Sequence, residues 1–424
     1  MNHCGATRRL SGRMWAGVAL AAWLLVMGGC RSGDAAARAG GGPAAESAAA
    51  CGAECPGPYL CSGFYVDHRK EPALYDVYFG TYTKDRDQSI YHYTLETSSG
   101  ELKRVGGVGG MQNPSFLAVD PGGRWVYSVC EADAGGGAAA LERDPQTGEL
   151  TLLNIAASGE KGSCHIALSP AGTAVVTANY GSGSVAAFPV REDATLGDAV
   201  SIAQHEGSGP NERRQAAPHA HSVTFDPTGR FLIAADLGTD ELRVYTLDEQ
   251  TAELTPHAPP AFDLHPGAGP RHVAFHPGGR WAYAINELDA TMTAAAWDAE
   301  SGTLKEFQKI STLPEGYEGR QSTAEVVVHP DGRFLYGSNR GHDSLVIYAI
   351  DPDTGRLSLV GHEMLPGDEP RNFNLDPTGR WLITCHQNSD TAQVYAVDGD
   401  TGTLTAVGDP VPVPMPVCVK FVAR

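Results

Sequence analysis

The chain has 424 residues, with 31 Lys and Arg against 50 Asp and Glu and a formal charge of −19. An acidic surface of that size repels polyanions, so no nucleic-acid partner is expected. A 42% share of hydrophobic residues is ample for a core without metals or a disulfide framework.

Residues 1–30 read as an export signal. Arg8, Arg9 and Arg13 precede an apolar run of 13 residues from Trp15 to Met27, which ends in Gly28-Gly29-Cys30. That run is too short to span a bilayer as a helix, and the small residues before Cys30 predict lipoprotein-type processing with lipid on Cys30, with a plain secretory signal or a retained helix as the alternatives. The expected location is therefore outside the cytoplasm, anchored to a membrane and facing the periplasm or cell surface. Without those three arginines the balance is 28 basic against 50 acidic residues, or −22.

Residues 31–70 read as a flexible tether and a cysteine-containing lead-in. The tether is mainly Ala, Gly and Ser. Cys51, Cys55 and Cys61 follow, and in an exported protein two of them are expected to pair as a disulfide. No nearby histidine or fourth cysteine completes a metal site. Cys130, Cys164, Cys385 and Cys418 fall in strand patterns and are expected as buried thiols.

From residue 71 to 424 one unit repeats. DPGGRWVYSVCE (Asp120 to Glu131) returns as SPAGTAVVTANY, DPTGRFLIAADL, HPGGRWAYAINE, HPDGRFLYGSNR and DPTGRWLITCHQ, the last ending at Gln387. Proline sets φ at the first corner and glycine tolerates the left-handed corner, so each copy reads as a tight hairpin turn between apolar runs. A second marker, a G-x-L-like step, ends at Leu102, Leu150, Leu196, Leu254, Leu304, Leu357 and Leu404, at intervals of 48, 46, 58, 50, 53 and 47 residues. About four short alternating segments per roughly 50-residue unit, with almost no helical periodicity, predict an all-β propeller of seven blades. The first unit begins at YDVYFGTYT and lacks one strand. MPVCVKFV (Met415 to Val422) resembles that missing strand, so a C-terminal strand is predicted to complete the first blade and remove an exposed edge.

The repeat also predicts where polar groups gather. If Phe275 faces Trp281 across the hairpin, Arg271 faces Ile285, and the start of each inner strand lies beside the end of the next, away from the turn. Strand starts carry Ser115, Cys164, His221, Arg271, Ala324, Arg371 and Val417, followed by Phe116, His165, Ser222, His272, Glu325, Asn372 and Cys418. Strand ends carry Thr81/Tyr82, Cys130/Glu131, Asn179/Tyr180, Asp236/Leu237, Asn286/Glu287, Asn339/Arg340 and His386/Gln387. One channel mouth would then hold Arg271, Arg340 and Arg371, carboxylates at Glu131, Glu287 and Asp236, and imidazoles at His219 and His221, with His165 or His272 nearby. Arginine forks suit phosphate or carboxylate oxygens, and a carboxylate or imidazole beside them can act as a base. The same residues also admit structural readings: a pair between Arg271 and Glu287, packed histidines, and a turn held by Asp236. The insertion HEGSGPNERRQ (His205 to Gln215) makes the longest interval and leads into PHAHS, where it could partly roof the mouth. RVGGVGG and KDRDQS lack the features of a phosphate loop or a calcium loop, and no G-x-S-x-G or H-E-x-x-H occurs.

PHAHSVTFDPTGRFL, GPRHVAFHPGGRWAYAINEL, HPDGRFLYGSNRGHDS, EPRNFNLDPTGRW and the opening FGTYT resemble motifs of the seven-bladed propeller lactonases, a family that includes bacterial propeller-type 6-phosphogluconolactonases and fungal carboxy-muconate cyclases. The resemblance runs from about Tyr75 to Val422. It implies hydrolysis of a sugar-acid lactone, a small anionic substrate, with no cofactor and no metal. It also implies a site at His221, Glu131, Glu287, Arg271 and Arg340. On that reading Glu131 or His221 activates water, Arg271 stabilises the oxyanion, and Arg340 or Arg371 holds a phosphate or carboxylate, with His219, Asp236 and His165 as further substrate contacts. The export signal departs from the cytoplasmic role usual in the family and opens the substrate to an unphosphorylated aldonolactone. A muconate-type cyclase or isomerase is an alternative, as is a non-catalytic propeller lipoprotein that binds a small anion or a protein partner.

Overall fold

The computed structural model describes residues 73–83, 87–130 and 136–424. The export signal with Cys30, the tether with Cys51, Cys55 and Cys61, and Glu131 lie outside the described residues. Among those described, 28 strands and no helix form seven four-stranded antiparallel sheets. Their innermost strands are Pro416–Ala423, Leu117–Val119, Ser163–Leu168, Ala220–Phe225, Pro270–Phe275, Ser322–Val328 and Pro370–Leu375. Each packs against the next, and the last against the first, so the sheets are the seven blades of a closed propeller.

The turn behaves as its residues dictate. In blade 5 the Gly279 N–H donates to His276 O at 2.8 Å, and Gly279 takes φ of 69°, where a side chain would be strained. The first residue of the motif supplies side-chain acceptors. Asp226 accepts the Phe231 N–H at 2.9 Å and the Thr228 N–H at 3.2 Å, and His276 Nδ1 accepts the Gly278 N–H at 2.9 Å. Asp, His and Ser recur there because each satisfies turn amides. The G-x-L marker has a different cause. Gly355, at φ 71°, lies under Trp281 of the preceding blade, and Gly100 of blade 1 lies under Trp381 of blade 7, leaving no room for a Cβ.

Strand alternation sends successive side chains to opposite neighbours. Trp281, Tyr283 and Ile285 pack toward blade 6, while Ala282 and Ala284 pack toward blade 4. The core is thus spread between blades, each large side chain contributing about 1.5–3 kcal/mol by burial. Closure follows the predicted route. The C-terminal strand pairs with Leu74–Thr81, from Tyr75 opposite Ala423 to Gly80 opposite Cys418. Arg424, the last residue, hydrogen-bonds the fully buried Asp76, which also takes His92 Nε2 at 2.7 Å and Arg143 Nε of blade 2 at 3.1 Å. Burial alone would raise the Asp76 carboxyl, but His92, Arg424 and Arg143 outweigh it and hold it below its ordinary value.

Candidate active site

The hairpin register differs from the simple expectation by one residue, and the difference builds the site. Phe275 stands opposite Ala282 rather than Trp281, and His272 rather than Arg271 stands opposite Ile285. Pairing then jumps to Pro270 and Asn286, so Arg271 is an extra residue in a bulge. Cys164, His221 and Arg371 occupy the same break in blades 3, 4 and 7. A bulge re-aims a side chain at the cost of one ladder position. It turns these residues and their successors toward the channel together: Arg271 Nη1 lies 3.1 Å from His272 Nε2.

A cavity of about 470 Å³ opens at this end, lined by Tyr82, Cys164, Tyr180, Arg214, His221, Glu287, Arg320, Arg340 and Arg371, among others. Cys130, Cys385 and Cys418 are buried as expected, whereas Cys164 is only half-buried at this wall. Glu287 is its electrostatic centre. Arg214 Nη2 donates to Oε1 at 2.6 Å, and Arg340 Nη2 lies 2.9 Å from Oε2, with Arg271 Nε 3.3 Å from the same oxygen. Burial pushes the carboxyl up, but Arg340, Arg271 and Arg214 prevail and hold it at about 2. Arg320 donates to both oxygens of Glu369 at 2.7 and 3.0 Å, and Arg340 Nη1 stands 3.4 Å from Glu369 Oε1. Four guanidiniums, those of Arg214, Arg271, Arg320 and Arg340, therefore hold two carboxylates at the mouth of an otherwise acidic protein. Arg371 is the outermost of the predicted arginines, half-buried with Nη2 at 3.2 Å from Tyr82 Oη.

His221 is 4% exposed, and its Nδ1 has no hydrogen-bond partner among the described residues. Burial, reinforced by Arg271, His272, Arg371 and Arg340, holds its pKa well below 6.5, so the ring at the wall is neutral at neutral pH. Arg271 is 2% exposed and does not line the cavity. It stands behind Glu287, with Nη1 donating to Ala324 O at 2.7 Å. Beneath lies a second layer in which His165 packs against Phe116 at 4.0 Å between centroids, tilted by 30°, and meets His272 edge-on at 5.1 Å. His165 is below the cavity, not on its wall.

Alternation explains why the strand-end pairs split. The first members turn into the blade: Asn286 Nδ2 reaches Thr291 Oγ1 at 2.9 Å, and Asn179 and Asn339 reach the serine at the same place. The second members, Tyr82, Tyr180, Glu287 and Arg340, turn to the cavity. Asp236 is a first member. It is fully buried, bonded to His205 at 2.5 Å and to the His219, Gly238 and Thr239 amides, and away from the cavity wall. His219 stacks on Tyr180 at 4.4 Å and bonds its carbonyl through Nδ1 at 2.9 Å, behind the wall that Tyr180 presents. Of the pair of histidines, only His221 lines the cavity.

Sequence reasoning missed Arg214, Arg320 and Glu369. The second member in blade 4 is Leu237, whose carbonyl accepts from Gln215 Nε2 at 2.9 Å. Gln215 is fully buried, also bonds Asp240 at 2.7 Å, and anchors the insertion so that Arg214 enters the mouth there. The insertion's position before PHAHS was the available signal. A second cavity of about 260 Å³, between blades 1 and 2, gathers no such cluster of charges.

Fold and site together define a seven-bladed propeller with polar side chains from several blades converging on one channel mouth. Residues 76–421 match the family described as Lactonase, 7-bladed beta-propeller, and the chain belongs to that family. It is 37% identical over 349 residues to the 6-phosphogluconolactonase of Bacillus subtilis, covering 82% of this chain and 98% of the relative. A crystal structure described as a putative 6-phosphogluconolactonase of Bacteroides fragilis superposes with a TM-score of 0.78 at 33% identity, covering 82% of this chain and 98% of that one. The Pseudomonas aeruginosa periplasmic gluconolactonase does so with a TM-score of 0.78 at 34% identity, covering 82% and 99%. Relatives named for lactone hydrolysis support a hydrolase acting on a small-molecule lactone.

Proposed function

We propose that the protein opens the lactone of a sugar acid by water attack at this mouth. The observation that carries the reading is the ionised Glu287, held by guanidiniums from several elements beside a neutral imidazole on the wall of one cavity. His221 or Glu131 takes a proton from water as its oxygen bonds to the lactone carbonyl carbon. The developing oxyanion is stabilised by Arg371 or Arg340, which line the cavity, in place of the Arg271 expected from sequence. When the ring C–O bond breaks, the leaving oxygen takes that proton back, giving the open hydroxy acid. Arg371 and Arg214 suit an anionic group on the substrate.

An exported location agrees with the N-terminal pattern and with the periplasmic gluconolactonase among the relatives, and favours an unphosphorylated aldonolactone. Lipid on Cys30 would tether the enzyme to the membrane. Base uptake in a pH-stat, with purified propeller and either glucono-δ-lactone or its 6-phosphate, tests the reading. Ring opening faster than in buffer is expected, with the plain lactone preferred. Rates equal to buffer for both would end it.

A further inference from the structure

Beneath the cavity a line of hydrogen bonds crosses four successive inner strands, and donor counting fixes its direction. The Val419 N–H of blade 1 can only donate, so the Asn372 atom 2.9 Å away is the carbonyl Oδ1. Asn372 of blade 7 therefore presents its amide Nδ2 to Glu325 Oε2 of blade 6, with which it is hydrogen-bonded. Glu325 Oε1 accepts the Val326 N–H at 3.0 Å and faces His272 Nδ1 of blade 5 at 2.8 Å. At the far side of that ring, Nε2 lies 3.1 Å from Arg271 Nη1. A guanidinium has no lone pair to offer, so Nε2 must accept and Nδ1 must carry the proton. Each contact along the line then joins one donor to one acceptor. Glu325 is 7% exposed, His272 4% and Asn372 4%, so water does not easily replace a member.

We propose that Glu325 is a positioning residue for the reaction: through the Nδ1–H form of His272 it fixes Arg271, and through Arg271 it fixes the carboxylate of Glu287 at the cavity wall. The proposal rests on the lactonase reading for its kinetic consequence but not for its structural one. Arg271 contacts three things of different kinds: the Ala324 carbonyl, the His272 ring and Glu287. Only the ring depends on a proton's location. If His272 carried its proton on Nε2, two donors would face each other, and the guanidinium would have to turn away from the imidazole. Because Val419 lies in the strand that closes the ring, the same line couples closure of the propeller to the geometry of its mouth.

Glu325→Gln breaks the polarity, since its amide would confront the Asn372 amide or the His272 Nδ1–H. Loss of the outer hydrogen-bond partner of a metal-bound histidine costs about 10- to 100-fold, and by analogy a fall of that order is expected here in kcat with KM little changed. Glu325→Gln combined with Asn372→Asp reverses the inner link while leaving an acceptor for His272 and one for Val419, and is expected to recover most of the lost kcat. Nitrogen-15 spectra of histidine-labelled wild-type protein read the tautomer without turnover, and the Nδ1–H form of His272 is expected. An Nε2–H ring, an unchanged kcat in Glu325→Gln, or a folded double variant no better than the single one would each overturn the proposal. If Glu325→Gln does not fold, the double variant and the wild-type tautomer decide. Wild-type protein inactive on every lactone would remove the proposed function while leaving the tautomer result standing, so the two failures are distinguishable.

Discussion

The two ends of a blade hinge on the same residue types used oppositely. At the turn end, Asp226 is surrounded by its own hairpin's Thr228 and Phe231 amides and the Thr228 hydroxyl, with Trp297 Nε1 of the next blade at 3.3 Å. At the mouth end, Glu287 accepts no amide among the described residues and is held by Arg214, Arg271 and Arg340, which approach from the insertion, its own blade and blade 6. A carboxylate satisfied by its own turn is bound to the backbone that made it. One satisfied only by distant guanidiniums is held ready at a surface, and removing it leaves charges rather than amides unmatched.

That contrast can be broken by substitution. The largest effect is expected from Arg271→Ala, which removes the support behind Glu287 and should lower kcat/KM by about 10²-fold, since small misplacements at a reacting centre cost that much. Steady-state rates read it, and a rate equal to wild type would place Arg271 outside the machinery. Asp226→Ala should lower unfolding free energy by about 1–3 kcal/mol, the range for buried donors left unpaired, with kcat/KM kept; urea unfolding alongside the activity assay separates the two.

A pH profile sharpens the comparison further. His221 is held below 6.5, so if it is the base the acid limb of kcat/KM lies below pH 6.5 and disappears in His221→Gln. Glu287, at about 2, contributes no inflection near its ordinary 4.5. Its lowered carboxyl lends stability that is complete above 4.5 and lost as pH falls toward about 2. Acid titration of Glu287→Gln should therefore show a flatter loss of stability through that window. The smallest effect is expected from Arg214→Ala, a partly exposed residue: a rise in KM of about tenfold, or about 1.4 kcal/mol, with kcat nearly kept.

The turn end was almost fully legible in the sequence because its causes are local: proline, glycine and an acidic or imidazole acceptor lie within five residues of one another. Closure by the C-terminal strand was legible for a related reason, as the strand pattern missing at Tyr75 reappears at Met415. The mouth was legible as a set of residues and not as a geometry. The bulge that frees Arg271 changes the register by one, and no local residue type announces it. Period-two alternation, applied to the strand-end pairs, would have separated Asp236 from Glu287 in advance. Arg214 has no counterpart in the repeat, so comparing units could not find it.

The most direct test of a catalytic mouth organised by Glu287 is Glu287→Gln, assayed by pH-stat lactone hydrolysis with Asp226→Ala run beside it. The mouth variant is expected to lose about two orders of magnitude in kcat/KM, in keeping with losses on removing a preorganised polar group, while the turn variant keeps its rate. Wild-type turnover in folded Glu287→Gln, or an equal fall in both variants, would contradict it.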